Sequence, residues 1–145
     1  MTVPITTLEE TTSQKRLRMF AAVAAVIAIL QTVVAITMMA LHGEFLVRLH
    51  EGLGYLYAAA AVITVFPAVV WGRLSRKTAL IGHAAGLAVA GVVQLLLGLF
   101  QTGGVLVYVH MVLGLLIMVG AVALYVLAKK RPIIVTNVDG TPRGA

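Results

Sequence analysis

The sequence predicts an all-α polytopic membrane protein, an up-down bundle of four transmembrane helices, and three observations carry that prediction. The first is composition: of 145 residues, 61% are hydrophobic and only 11% charged, with a mean hydropathy of +1.04. Soluble domains average about 45–50% apolar and about 25% charged, so a soluble enzyme is excluded and the length allows one domain. The second is four apolar stretches, Met19–Leu41, Leu46–Trp71, Thr78–Phe100 and Gly104–Ala128. Each reaches the roughly 20 residues that carry a helix across about 30 Å of hydrocarbon. The third is the segregation of basic residues along the chain.

The elements follow in order. Residues 1–18 read as a cytoplasmic N-terminal segment, Thr/Glu-rich at first, then basic at Lys15, Arg16 and Arg18. The basic start and apolar run resemble a signal peptide. However, 19–41 exceeds a 7–15-residue signal core and three more spans follow, so it is read as a retained helix. The second span, 46–71, carries His50 and Gly54 near its start and Pro67, a predicted kink, near its end. The third, 78–100, has Gly82, Gly86 and Ala90 at the spacing of a close-packing face. The fourth, 104–128, carries His110 and Gly114. A tail, 129–145, contains Asn137-Val138-Asp139-Gly140 and Pro142 and reads, like residues 1–14, as a short flexible end. The connections His42–Phe45, Gly72–Lys77 and Gln101–Gly103 are short enough to force antiparallel neighbours. They leave any chemistry to the bundle or its rim.

Ten of the eleven Lys and Arg residues lie before span one, between spans two and three, or after span four; Arg48 alone is on the other side. By the positive-inside rule both termini are cytoplasmic, in a plasma (inner) membrane. The net charge of +6 is therefore a topology signal, and the lipid bilayer, not nucleic acid, is the partner it implies. The absence of cysteine removes disulfides, thiolate metal ligands and covalent C-x-x-C-H heme attachment.

An internal repeat then brings two histidines together. With Leu46–Val62 set beneath Leu106–Val122, eight of seventeen pairs are identical, among them His50/His110, Leu53/Leu113 and Gly54/Gly114. Spans one and three echo each other through Ala25-Val26 and Gln31 against Ala88-Val89 and Gln94. The chain reads as two repeated helix pairs related by an axis along the membrane normal. Spans two and four run in the same direction and lie diagonally across a four-helix core. Their histidines therefore face each other at one level, about 6–9 Å below the outer boundary at 1.5 Å per residue. Two imidazoles so placed suit the axial positions of a heme iron. Gly54 and Gly114, one turn deeper on the same faces, would let a flat macrocycle approach both helices. Arg48, the one outer cation, would pair with heme propionates.

Plainer roles stand beside these. A histidine at a membrane boundary can hydrogen-bond a carbonyl, and intramembrane glycines serve helix packing. A zinc site needs three or four ligands, and only His42 and Glu44 stand nearby to complete one. His83, near the cytoplasmic end of span three, has no histidine partner and reads as an interhelical hydrogen bond. Gln31 and Gln94 read the same way. Glu51 points about 100° away from its neighbour His50.

These residues resemble one four-helix half of the heme A synthase family. The match rests on Arg48-Leu49-His50-Glu51-Gly52-Leu53-Gly54, on Val109-His110-Met111-Val112-Leu113-Gly114 and on Gln94-Leu95-Leu96-Leu97-Gly98, and covers about residues 19–128. The resemblance implies heme b held without a covalent bond between His50 and His110. The family's catalytic half carries a glutamate three residues before its second-helix histidine, where this chain has Val47, and the paired outer cysteines are absent. Glu44, six residues before His50, falls on another helix face. The likeness is thus to the non-catalytic, heme-holding half.

The expected function is an integral membrane b-type heme protein with one bis-His heme near the outer face. It would act in electron transfer or heme handling beside a respiratory oxidase or another membrane complex, because two axial histidines leave no position for oxygen. Two alternatives are a cofactor-free structural subunit of a larger membrane complex and a half-size heme A synthase-like oxygenase acting as a homodimer. A small multidrug transporter is excluded, since no Asp or Glu lies deep in any span.

Overall fold

The computed structural model describes residues 5–7, 11–100, 103–130 and 133–135. Four helices make up almost all of it: α1 (Thr12–Leu41), α2 (Glu44–Leu74), α3 (Thr78–Phe100) and α4 (Val105–Lys129). Even α3, at 23 residues, is roughly 35 Å long at 1.5 Å per residue, and all four are long and apolar enough to cross a bilayer. The chain is an integral membrane protein. Each helix packs on its sequence neighbour, α4 closes the ring against α1, and α1 stays apart from α3 as α2 does from α4. The diagonal placement of α2 and α4 follows from connections too short to reach across the bundle.

Caps and turns set the ends. Thr11 caps α1 by accepting from the Gln14 amide at 3.2 Å, so the helix starts seven residues before the apolar run and draws Lys15, Arg16 and Arg18 into its first turns. His42, at φ 41°, ends α1 in the left-handed region. The α2–α3 turn folds back on Gly72: the amides of Ser75 and Lys77 donate to Trp71 O and Gly72 O at 2.8 Å. A Cβ on Gly72 would lie 2.6 Å from Ile81 Cγ1 and 3.2 Å from Lys77 O, so this turn requires glycine. α2 runs through Pro67 without a break.

The flexible ends expected from the sequence are modified by one feature. Ile5–Thr7 (β1) and Ile133–Val135 (β2) pair antiparallel, Ile5 opposite Val135. Both tripeptides are dominated by β-branched residues, which favour extended backbone. The pairing ties the two ends together at one end of the bundle, called here the terminal end. Arg131, Asn137 to Gly140, Pro142 and Arg143, and Gln101 of the third connection, lie outside the described residues.

The core is uneven along the bundle. One buried cluster, at the terminal end, comprises Leu17, Ala21, Ala68, Trp71, Leu80, Ala84, Leu124 and Ala128. A second, next to it, joins Ala24, Ala25 and Ala28 to Tyr57, Ala61, Ala88, Ile117 and Ala121. Alanine dominates both because small side chains let helix backbones approach where lipid supplies no hydrophobic drive. Beyond this layer the packing opens. Among the described residues of 29–56 and 92–116, none is buried as a whole. The bundle is closed at the terminal end and loose at the far end.

Candidate functional site

His50 lies six residues into α2 and His110 five into α4, so both rings enter the bundle at one level of its looser half. Their ring centroids are 6.1 Å apart with planes at 67°. Both Nδ1 atoms are buried and have no hydrogen-bond partner.

Two glutamines complete the layer. Gln31 of α1 brings its side-chain nitrogen to 3.4 Å from His50 Nε2. Gln94 of α3 donates from its side chain to the His110 carbonyl at 2.8 Å. Both amide oxygens are buried without a partner. Thus four of the seven buried, unpartnered side-chain polar atoms among the described residues, namely Gln31 Oε1, His50 Nδ1, Gln94 Oε1 and His110 Nδ1, belong to this layer. An unsatisfied buried group costs about 1–3 kcal/mol, so such a cluster calls for a physical explanation.

The glycines of the layer face the two glutamines. A Cβ on Gly54 would lie 3.4 Å from Gln31 Nε2, and one on Gly114 only 2.9 Å from Gln94 Nε2. The hollows expected to admit a flat ring are filled here by the glutamine amides. The reason is solvation: a long amide on a lipid-embedded helix seeks polar company inside the bundle, and a missing side chain is where it fits. Each helix pair therefore repeats one arrangement, a glutamine seated against the glycine one turn below a histidine. Gly98 completes the contact from α3, where a Cβ would come within 3.0 Å of His110 Cε1.

Arg48 is also placed differently. Its guanidinium donates twice to Glu44 Oε1, at 2.8 and 3.2 Å, and both side chains are more than three-quarters exposed. One turn apart on α2, they form a surface pair, which absorbs the cation expected to reach toward the histidines and turns Glu44 away from them. Glu51 is exposed, as is His42. His83 makes the interhelical hydrogen bond expected of it, its Nε2 lying 2.8 Å from Gly120 O of α4.

Two imidazoles are the candidate metal donors of this layer. A metal ion takes a histidine nitrogen at about 2.0–2.1 Å, which sets two imidazoles on opposite sides of one ion with centroids roughly 6 Å apart. The observed spacing meets that requirement. Yet no group of three or more His, Cys, Asp or Glu residues gathers among the described residues. Two imidazoles alone do not satisfy a bare ion, whereas a metal that brings its own equatorial ligands, as in a heme, asks the protein for no more. Sequence reasoning placed Gln31 and Gln94 in ordinary interhelical bonds; it missed that these bonds run to the two histidines. The signal was present, since the Gln31/Gln94 match belongs to the same duplication as His50/His110. Set against protein-family profiles, curated proteins and solved structures, the chain matches none.

Proposed function

We propose that the protein is a membrane-embedded b-type heme protein, with His50 and His110 as axial ligands, serving electron transfer or heme handling. The observation that carries this reading is the histidine pair, 6.1 Å between centroids with both Nδ1 atoms unpartnered, in the half of the bundle where none of the described residues is buried as a whole. Heme b held by two histidines exchanges single electrons and offers no open position to oxygen. The chain's own residues have defined tasks. The diagonal of α2 and α4 holds the imidazoles opposite each other. Gln31 lies against Nε2 of the His50 ring; with Nδ1 on a metal that nitrogen would donate its N–H, and the Gln31 amide would turn its unpartnered oxygen to accept it, as oxygen partners of ligating histidines do. Gln94 anchors the backbone under His110. The closed alanine core keeps the four helices in register. Further parts of the reading are the resemblance to the heme-holding half of heme A synthase, an outer location of the site with both termini cytoplasmic, and work beside a larger oxidase complex.

The test is an absorption spectrum of the detergent-purified protein, oxidised and dithionite-reduced, beside His50→Ala and His110→Ala. A low-spin b-type spectrum in the parent, lost or turned high-spin in both variants, supports the reading. A colourless parent that stays colourless through hemin titration ends it.

One observation favours a second reading. The glutamine amides already occupy the glycine hollows, which suits a cofactor-free structural subunit whose polar layer fastens its helices. That subunit would purify without colour and would keep its assembly in His110→Ala.

A further inference from the structure

At the terminal end, on the side away from α1, a cavity of about 320 Å³ opens between the start of α3 and the end of α4. Its polar lining is Arg76, Lys77, Thr78, His83 and Lys130, and Leu80 and Leu127 form its apolar flank. The volume lies within the roughly 300–1,000 Å³ of small-molecule sites, well above what a few waters need.

Among the described residues, the charged groups that line this cavity are all basic. Two lysines from two chain segments, Lys77 and Lys130, line it. Lys77 is held in place by donating from Nζ to the Lys130 carbonyl at 3.2 Å, a neutral partner that leaves its charge uncompensated. The carboxylates among the described residues, Glu44 and Glu51, stand at the opposite end of α2, so they do not neutralise Lys77 or Lys130. The first turn of α3 begins at Thr78 and adds the positive end of a helix dipole. His83 is fixed as a wall, because its Nε2 donates to Gly120 O.

We propose that this cavity is a binding site for a phosphate-centred anion, of the kind presented by an anionic phospholipid headgroup or by free phosphate. Lys77 and Lys130 supply the charge, and Thr78 supplies a hydroxyl donor. Basic pockets between transmembrane helices are suited to such groups, and the Leu80 and Leu127 flank matches the glycerol and first methylenes of a lipid. The site lies at the opposite end of the bundle from His50 and His110 and stands or falls independently of them.

The experiment measures lipid retention by native mass spectrometry on the full chain, released from nanodiscs of equal phosphatidylglycerol and phosphatidylcholine. The parent should retain phosphatidylglycerol at least tenfold over phosphatidylcholine. Lys77→Gln/Lys130→Gln should reduce that preference about tenfold, about 1.4 kcal/mol, so that the two lipids are retained nearly equally. Lys15→Gln/Arg16→Gln, which removes equal charge from α1 outside the cavity, should keep it. Added inorganic phosphate separates the sources: displacement of the lipid at low millimolar concentration assigns the site to free phosphate, and its failure to displace assigns it to the headgroup. Equal loss in both double variants, or an unchanged preference in the first, overturns the proposal. Both variants alter exposed or half-exposed lysines and arginine at helix ends, so folding is checked by the same spectra, which report the intact mass and charge distribution.

Discussion

Gln31 of α1 holds the imidazole of His50 on α2, nitrogen to nitrogen at 3.4 Å, whereas its counterpart Gln94 binds the backbone of His110 and not its ring. The two halves of the duplication have therefore diverged in what their glutamines control. One sets the orientation of a side chain and the other the position of a helix turn.

This asymmetry gives the first prediction. Gln31→Leu should weaken heme retention about 10–100-fold, the effect of removing a partner from a ligating histidine. Gln94→Leu should change retention less than threefold, because the His110 ring keeps its contacts. Hemin titration followed by absorbance measures both. Equal effects from the two variants would refute the division of labour.

A second prediction concerns Gly72. A Cβ there meets Ile81 Cγ1 at 2.6 Å and the Lys77 carbonyl at 3.2 Å, and the carbonyl belongs to a turn closed by backbone bonds. Gly72→Ala should destabilise the protein by about 1–3 kcal/mol, as overpacking does. Gly54→Ala faces only the end of a flexible amide at 3.4 Å and a leucine methyl at 3.6 Å, and should cost less than about 1 kcal/mol. Thermal unfolding in detergent ranks them, and the reverse order would show that the α2–α3 turn yields more easily than its bonds imply.

Arg48 supplies the third. Its ion pair with Glu44 is exposed, and such pairs contribute little, about 0–1 kcal/mol. Arg48→Gln should leave both thermal stability and the heme spectrum unchanged. A spectral change would mean that the guanidinium leaves Glu44 when ligand is present, as the sequence reading expects.

Orientation is open to a direct check because the chain has no cysteine. Gly43→Cys, at a position with open space around its Cα, should react with a membrane-impermeant maleimide added to intact cells. Arg73→Cys, exposed near the end of α2, should react only after permeabilisation. The opposite pattern would invert the topology read from the basic residues.

Much of this architecture was legible from composition and spacing. Four long apolar runs with three- to six-residue connections permit hardly any arrangement but a ring of antiparallel neighbours, and the repeat put His50 and His110 at matching depths. What stayed hidden depends on side-chain reach. Glycines one turn below histidines read as room for a ligand, but nothing in the linear pattern shows that Gln31 and Gln94, on other helices, lie level with them. Arg48 read as a free outer cation because its competitor, Glu44, sits at the i−4 spacing that a search for ligands passes over. The β-branched tripeptides at 5–7 and 133–135 are too short and too distant in sequence to announce their pairing.

The division of the bundle into a packed half and a loose half also sets an order in time. Residues that hold the helices together, from Leu17 and Trp71 through Ala121, make their contacts without help from the histidine layer. Membrane insertion and assembly of the four helices can then run to completion before any guest arrives. On the proposed heme-binding reading, loading would be a late event at one mouth of a finished scaffold, and the empty protein would be a species in its own right, not a folding failure.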